Sequence, residues 1–345
     1  MATLGTLVIS FFRNHLASEK NVSRNTIASY GDCVRLLLNY ACETLQVTTD
    51  KLAIEAISET MILDFLDHLE QQRGNVTATR NQRPGALKTF FRFLARQEPT
   101  LIAVCERVCA ICGKRTDQKL FETLETGEVQ ALLQAPDPST LDGARDAVLL
   151  GMFYNTGARV QELVDLNLDD LQLDNLSQAT LTGKGRKQRI VPLWAETARA
   201  IGHYLQLRRQ AGIDSQAIFL NARGQRLTRF GINHIIARHR AQAAHRCPSL
   251  QHKHVTAHTF RHTVALHMVQ VGEELPTVQR LLGHADIKTT SKYVDIDLNM
   301  KRTAIERGTI RTQDPGQDLP QTKPAWRTVP LLAFLKELPG AAALC

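Results

Sequence analysis

Apolar residues recur at helical spacing through almost all of the first hundred positions. In the stretch 23–40, Ile27, Tyr30, Val34, Leu37 and Leu38 fall on one helical face, and Ser23 stands where an N-cap belongs. A second helix is predicted over roughly Ser58 to Gln71. A third, about 84–97, would bury Leu87, Phe90, Phe91 and Leu94. The opening "TLGTLVISFFRNHL" is apolar but has neither a basic leading region nor a small-residue cleavage site, so it reads as a first core helix.

After position 112 the pattern changes. The polar "GKRTDQKLFETLET" (113–126) reads as a linker, and Thr126 and Glu128 open a new helix. Asp142 to Tyr154 is strongly apolar and predicts a buried helix. In "ATLTGKGRKQRIVPL", β-branched and apolar residues flank a Gly-Lys-Gly turn, the mark of a hairpin. Helical patterning resumes from about Glu196. "DPGQDLPQTKP" (314–324) is a Pro-rich connector. The end, "VPLLAFLKEL", is an apolar helix too short to fold alone, which must dock in cis or on a neighbour. The expected division is an N-terminal domain over 1–112, a linker over 113–125, a second domain over 126–310 and an extension over 311–345, with no internal repeat.

Length agrees with two domains, since 345 residues with 43% hydrophobic content can bury two cores. A formal net charge of +8 points to an anionic partner, nucleic acid first. A basic protein without a polyanion partner is the plainer alternative. A membrane surface fits less well, because no stretch sets Lys/Arg against Trp/Phe on opposite helix faces. No apolar run approaches the ~20 residues of a membrane span. Seven cysteines, odd in number and scattered, argue for a reducing cytoplasm and against a disulfide framework. Cys105, Cys109 and Cys112 lack a nearby fourth ligand and read as free thiols.

Several polar groups carry candidate chemistry. Arg159, just after a Thr-Gly break in an apolar setting, needs a partner, and Glu162 one turn on can hold it; an internal ion pair would account for both. Lys184 sits at the hairpin turn with Arg186, Lys187 and Arg189, a basic tip able to enter a nucleic-acid groove or simply a charged surface hairpin. Lys88, Arg92 and Arg96, four apart, form a basic ridge: a solvated face or a phosphate-tracking strip. "HTFRHT" places His258, Arg261 and His262 on one helical face, and "LLGH" supplies His284, nine residues before Tyr293.

A metal is disfavoured there. The spacing of His258 and His262 suits zinc, but the Glu of H-E-x-x-H is missing and Arg261 would set a fixed cation beside the ion. His262 reads as structural, and His245, Cys247, His252 and His254 as a solvated loop. A phosphate fits better: two arginines offer forked donors, two histidines offer donors and a proton acceptor, lysine a mobile acid and tyrosine an oxygen nucleophile. Those parts make phosphoryl transfer without metal or other cofactor.

The chain at this point resembles the tyrosine recombinase (phage integrase) family over roughly residues 5–310. The motif elements stand in family order: Arg159 in "TGARVQEL", Lys184 in "GKGRKQRIVPL", His258 and Arg261 in "HTFRHT", His284 in "LLGH", then Tyr293. "VSRNTIASY" and "LKTFFRFLARQ" resemble the family's core-binding domain. The resemblance implies a mainly α fold: an all-α, SAM-like N-terminal domain, and a mainly α catalytic domain with a small antiparallel β-sheet, together clamping duplex DNA. It implies that Tyr293 attacks a scissile phosphate to form a 3′-phosphotyrosyl link and free a 5′-hydroxyl. Arg159 and Arg261 would clamp the non-bridging oxygens, with His284 adding a hydrogen bond and Glu162 orienting the first arginine. His258 would manage the tyrosine proton and Lys184 would protonate the leaving oxygen. Lys88, Arg92, Arg96, Arg186, Arg189, Arg226 and Arg229 become candidate DNA contacts. The implied assembly is a dimer on a site and a tetramer in the synapse, exchanging a C-terminal helix matched by 298–307, with a related recombinase as a possible partner. About 35 residues beyond the short Xer-type pattern tilt the role towards a mobile-element integrase or transposase. A type IB topoisomerase and a catalytically silent DNA-binding accessory protein are the competing readings.

Overall fold

The computed structural model describes residues 3–116, 121–174 and 176–283, apart from the side chain of Lys184. The chain divides into two compact units, residues 1–119 and 120–345.

The N-terminal unit is helical. α1 (Leu4–Ser10), capped by Thr3, runs on as a wider π-type helix over Phe11–Glu19. α2 (Arg24–Leu45) is capped by the Ser23 hydroxyl, which accepts from the Thr26 amide, and ends at Gln46 in the left-handed region. α3 (Glu59–Gln71) has Ser58 as its cap. The short α4 (Thr77–Arg80) leads to α5 (Arg83–Gln97), with Pro84 in the first turn, and then to α6 (Ile102–Ala110). α5 buries the expected Leu87, Phe90, Phe91 and Leu94, and Phe93 as well. Phe11 packs edge-on against Phe90 with ring centroids 5.1 Å apart, so the opening segment is a core element, as its apolar pattern predicts. Burial pushes the Cys33 thiol up to about 11, as suits a core thiol.

The second unit packs helices around a small sheet. α7 (Thr126–Leu133), α8 (Leu141–Thr156) and the short α9 (Val160–Val164) lead into β1 (Leu171–Gln172), β2 (Gln178–Thr182) and β3 (Gln188–Pro192). The three strands form one antiparallel sheet in the order β1-β2-β3, with Leu181 opposite Arg189 and Ala179 opposite Val191. α10 (Ala195–Gln210), α11 (Arg229–Ala243), α12 (Ala257–Gln270) and α13 (Leu275–Leu282) follow. α8 is buried nearly all round, and its Phe153 stacks on Phe260 of α12. Asp146, fully buried on α8, accepts from Arg145 and from His239 of α11 at 2.8 Å each and pairs with Arg238, which locks α8 to α11.

The segment read as a linker is partitioned. Asn81 bonds both backbone groups of Lys114, whose ammonium reaches Asp67 and Glu70, so this end belongs to the first unit. On the other side, Leu124 is buried and its amide donates to Thr263 Oγ1 at 2.9 Å. Among the described residues no helix is long and apolar enough to cross a membrane.

Candidate active site

Gly157 ends α8 in the left-handed region, at φ 57°, and this sharp stop releases Arg159 as the cap of α9. Arg159 Nη1 donates to Glu162 Oε1 at 2.8 Å, and Glu162 Oε2 accepts from the Arg159 backbone amide at 2.9 Å. The same carboxylate takes a second guanidinium: Arg189 Nη1 and Nη2 reach Oε1 and Oε2 at 2.9 and 2.7 Å. Burial opposes the charge on Glu162, but the Arg189 and Arg159 hydrogen bonds and the Arg189 charge outweigh it and hold its carboxyl below the usual range.

α12 begins at Thr256, whose hydroxyl accepts from the Thr259 amide, and presents His258 and Arg261 within the next turn and a half. Arg261 is buried; its Nη1 donates to the Gly157 carbonyl at 2.7 Å and its Nη2 to the Leu282 carbonyl at 2.6 Å. Arg159 Nη2 donates to the Gly283 carbonyl at 2.9 Å, and Arg189 Nε to the Leu281 carbonyl at 2.8 Å. Three arginines from three elements therefore converge on one turn, the C-terminal end of α13, immediately before His284.

His258 keeps an exposed edge. The protein packed around the imidazole disfavours its charged form, and the Arg261 and Arg159 charges add repulsion, so its pKa is held below the ordinary histidine value. His262 stacks on Phe121, with centroids 4.2 Å apart, the packing role expected of it. Among the described residues no group of three or more His, Cys, Asp or Glu could hold a metal ion.

The hairpin abuts the same site. A Cβ built on Gly183 would lie 3.0 Å from Glu162 Oε1 and 3.6 Å from Arg159 Nη1, so the backbone entering the turn touches the ion pair. The next residue is Lys184, whose backbone lies in the single turn Lys184–Arg186. Arg159, Glu162 and Arg261 are thus assembled, His258 sits one turn from Arg261, and the Lys184 backbone is adjacent. The side chain of Lys184, and all of His284, Tyr293, the 298–307 helix and the C-terminal extension, lie outside the described residues.

Two candidate DNA contacts have their guanidiniums bonded inside the second unit. Arg189 is not on the outer face of the hairpin: its side chain is only 12% exposed and its guanidinium is spent on Glu162 and Leu281. Period-two alternation was the available signal, because Arg189 shares a face with buried Val191 and pairs with buried Leu181. Arg226 is likewise turned inward, donating to the carbonyls of Val164 and Leu166 at 2.7 and 3.3 Å and contacting the Asn167 side chain. Arg186, at φ 59° in the turn, and Arg229, opening α11, are exposed. So are Arg92 and Arg96 on α5, with Lys88 half-buried one turn before them. The loop holding His252 is more ordered than a solvated reading suggests: residues 248–252 form a single-turn helix, and Lys253 donates to Glu128 and to the Thr123 carbonyl. His245, His252 and His254 remain exposed.

Residues 122–300 match the phage integrase family, and residues 9–98 match the N-terminal SAM-like domain of phage integrases. A Sinorhizobium fredii protein named putative integrase/recombinase y4rC is 36% identical over 337 residues, covering 98% of this chain and 99% of its own. The tyrosine recombinase XerC of Pelobacter propionicus is 31% identical over 307 residues, 89% of this chain and 96% of that protein. Among solved structures, the XerH site-specific recombinase bound to its difH substrate shares the fold with a TM-score of 0.64 at 23% identity, over 88% of this chain and 84% of that one. The Tn1549 transposon integrase in complex with circular intermediate DNA gives 0.65 at 19%, over 87% and 99%. The chain belongs to the phage integrase family of tyrosine recombinases.

Proposed function

We propose that this recombinase cuts and rejoins duplex DNA with Tyr293 as nucleophile. The phenol oxygen attacks the scissile phosphorus while His258 accepts its proton. The bond to the 5′-oxygen breaks, Lys184 protonates that oxygen, and a 3′-phosphotyrosyl ester remains. Arg159, Arg261 and His284 hold the non-bridging oxygens as charge builds on them, the work that fixed donors do best. A 5′-hydroxyl from another strand then attacks the ester, and the steps run in reverse without ATP or metal.

The observation that carries this reading is the convergence of Arg159 and Arg261 on the turn that ends at Gly283, with His258 one helical turn from Arg261. His258 held neutral by its surroundings suits a proton acceptor. Lys88, Arg92, Arg96, Arg186 and Arg229 would contribute phosphate contacts that position the duplex. The protein would act on DNA in the cytoplasm, as a dimer on each site and a tetramer in the synapse, with its C-terminal segments exchanged between subunits. The full-length match to a protein named putative integrase/recombinase, extension included, supports integration or transposition of a mobile element over a housekeeping role.

The test is a nicked duplex carrying the element's end sequence, taken from the DNA flanking the gene. Wild type should leave a covalent protein–DNA adduct on denaturing gels, and Tyr293→Phe none. An adduct with Tyr293→Phe, or none with wild type, rejects the assignment.

A further inference from the structure

Resting on that reading, we propose that Arg189 is a positioning residue that keeps the charge of Arg159 available to the phosphate. Glu162 is buried, its side chain 2% exposed, and it faces two guanidiniums, so the trio keeps one positive charge in excess. The two arginines are bound unequally. Arg189 grips both carboxylate oxygens in a bidentate fork, while the Arg159 guanidinium reaches the carboxylate once, at Oε1, gives its other amino group to the Gly283 carbonyl, and keeps 33% of its side chain exposed. A fork of this kind is the stronger pairing. Arg189 is thus the permanent counter-ion and Arg159 the exchangeable one. Arg159 can turn to a phosphate oxygen without leaving a buried carboxylate uncompensated, a change that would otherwise be costly.

Position reinforces charge. Arg189 Nε holds the Leu281 carbonyl, in the same turn whose Leu282 and Gly283 carbonyls receive Arg261 and Arg159. A Cβ on Gly283 would come within 3.3 Å of Arg189 Cδ and Nη1, so strand β3 and the end of α13 meet through this one side chain. Arg189 therefore braces both the carboxylate that orients Arg159 and the turn that leads to His284.

A structural strut and a charge-keeper make opposite predictions for a double substitution. In Arg189→Gln, Glu162 is left with Arg159 alone, the pair is neutral, and the phosphate loses one donor of its clamp. Adding Glu162→Gln returns the excess positive charge to Arg159. The measurement is single-turnover cleavage of the nicked duplex at saturating DNA, with DNA affinity and Tm recorded for each variant. Arg189→Gln should slow cleavage by about 100-fold, the scale of one lost transition-state donor. Arg189→Gln/Glu162→Gln should recover at least about tenfold of that, whatever its Tm. Arg189→Lys, which keeps the charge without the fork, should stay within about tenfold of wild type and guards against a folding defect in the first variant. A double variant no faster than Arg189→Gln, Arg189→Gln as fast as wild type, or Arg189→Lys as slow as Arg189→Gln overturns the inference. Wild type with no adduct at Tyr293 rejects instead the reading on which it rests.

Discussion

At the scale of single residues, the site is a set of cations with few anions near them, and that imbalance sets its chemistry. Arg261 gives its guanidinium to the Gly157 and Leu282 carbonyls, which fix its direction without cancelling its charge. Arg261→Ala should lower single-turnover cleavage by ~100–1000-fold, the cost of deleting one preorganised donor, with far less change in DNA affinity. Under the proposed mechanism His258 carries the opposite requirement, since it must be uncharged to take a proton. Its environment lowers its pKa below the ordinary ~6.5, so it is neutral at pH 7 and its protonated form appears only in more acidic solution. The second-order cleavage rate at sub-saturating DNA should hold constant through pH 7 and fall on an acidic limb whose midpoint lies below ~6.5. His258→Gln should remove that limb along with most of the rate; a limb that persists in this variant assigns the titration elsewhere. The residue types and order of Arg159, Glu162, His258 and Arg261 were legible because each follows a local signal: a helix break, a one-turn spacing, a cap. The inward turn of Arg189 was missed because a count of basic residues near a hairpin tip ignores which way a strand faces, and that of Arg226 because its partners, the Val164 and Leu166 carbonyls, lie 62 and 60 residues away in the chain.

At the scale of elements, two joints hold the site in register. The first is the α8–α9 break. Gly157 occupies the left-handed region, and a Cβ there would collide with the Leu282 side chain in the very turn that receives the arginines. Gly157→Ala should destabilise the catalytic unit by about 1–3 kcal/mol, from backbone strain plus the clash, and slow cleavage beyond what the stability loss explains. Denaturant unfolding and single-turnover cleavage, measured together, check it. The second joint is Asp146, between α8 and α11. Burial works against its charge, but His239 and Arg145 more than compensate, so its folded pKa lies below the ordinary carboxylate value. The folded state then binds fewer protons than the unfolded one. The stabilisation is complete above the ordinary value of about 4 and is lost as pH falls through the lower folded pKa. Asp146→Asn should cost about 3–5 kcal/mol near neutral pH, because it leaves Arg145 without its buried counter-ion, and should flatten the dependence of stability on pH below 4. The helices were legible in advance because their apolar stripes and caps are local. The two ends of the 113–125 segment were not, since what holds Leu124 is a hydroxyl at position 263, far along the chain.

At the scale of the whole molecule, the exposed cations of this basic chain fall in two compact units, and under the proposed function either could supply phosphate contacts. The catalytic unit spends many of its cations internally: Arg145, Arg189, Arg208 and Arg226 are tied to carboxylates or backbone carbonyls. The first unit keeps Arg92 and Arg96 in solvent, with Lys88 beside them on the outer ridge of α5, while the opposite side of that helix holds the aromatic core. Net charge alone does not distinguish cations that can meet DNA from those already paired; the fold does. If the ridge tracks phosphates, each contact releases a counterion and adds about 0.9 to the steepness of log affinity against log salt. Replacing Lys88, Arg92 and Arg96 together by Gln should therefore weaken DNA binding most at low salt and reduce that slope by about 2–3. The weakening should be nearly the same on the element's own end sequence and on unrelated duplex, because phosphate contacts carry no base information. Cleavage at saturating DNA should remain close to wild type, since the three belong to the first unit and the cluster around Glu162 is built within the second. A salt series of binding isotherms on the two duplexes measures the slope directly. An unchanged slope would return the ridge to a solvated face and leave the catalytic unit as the main source of affinity.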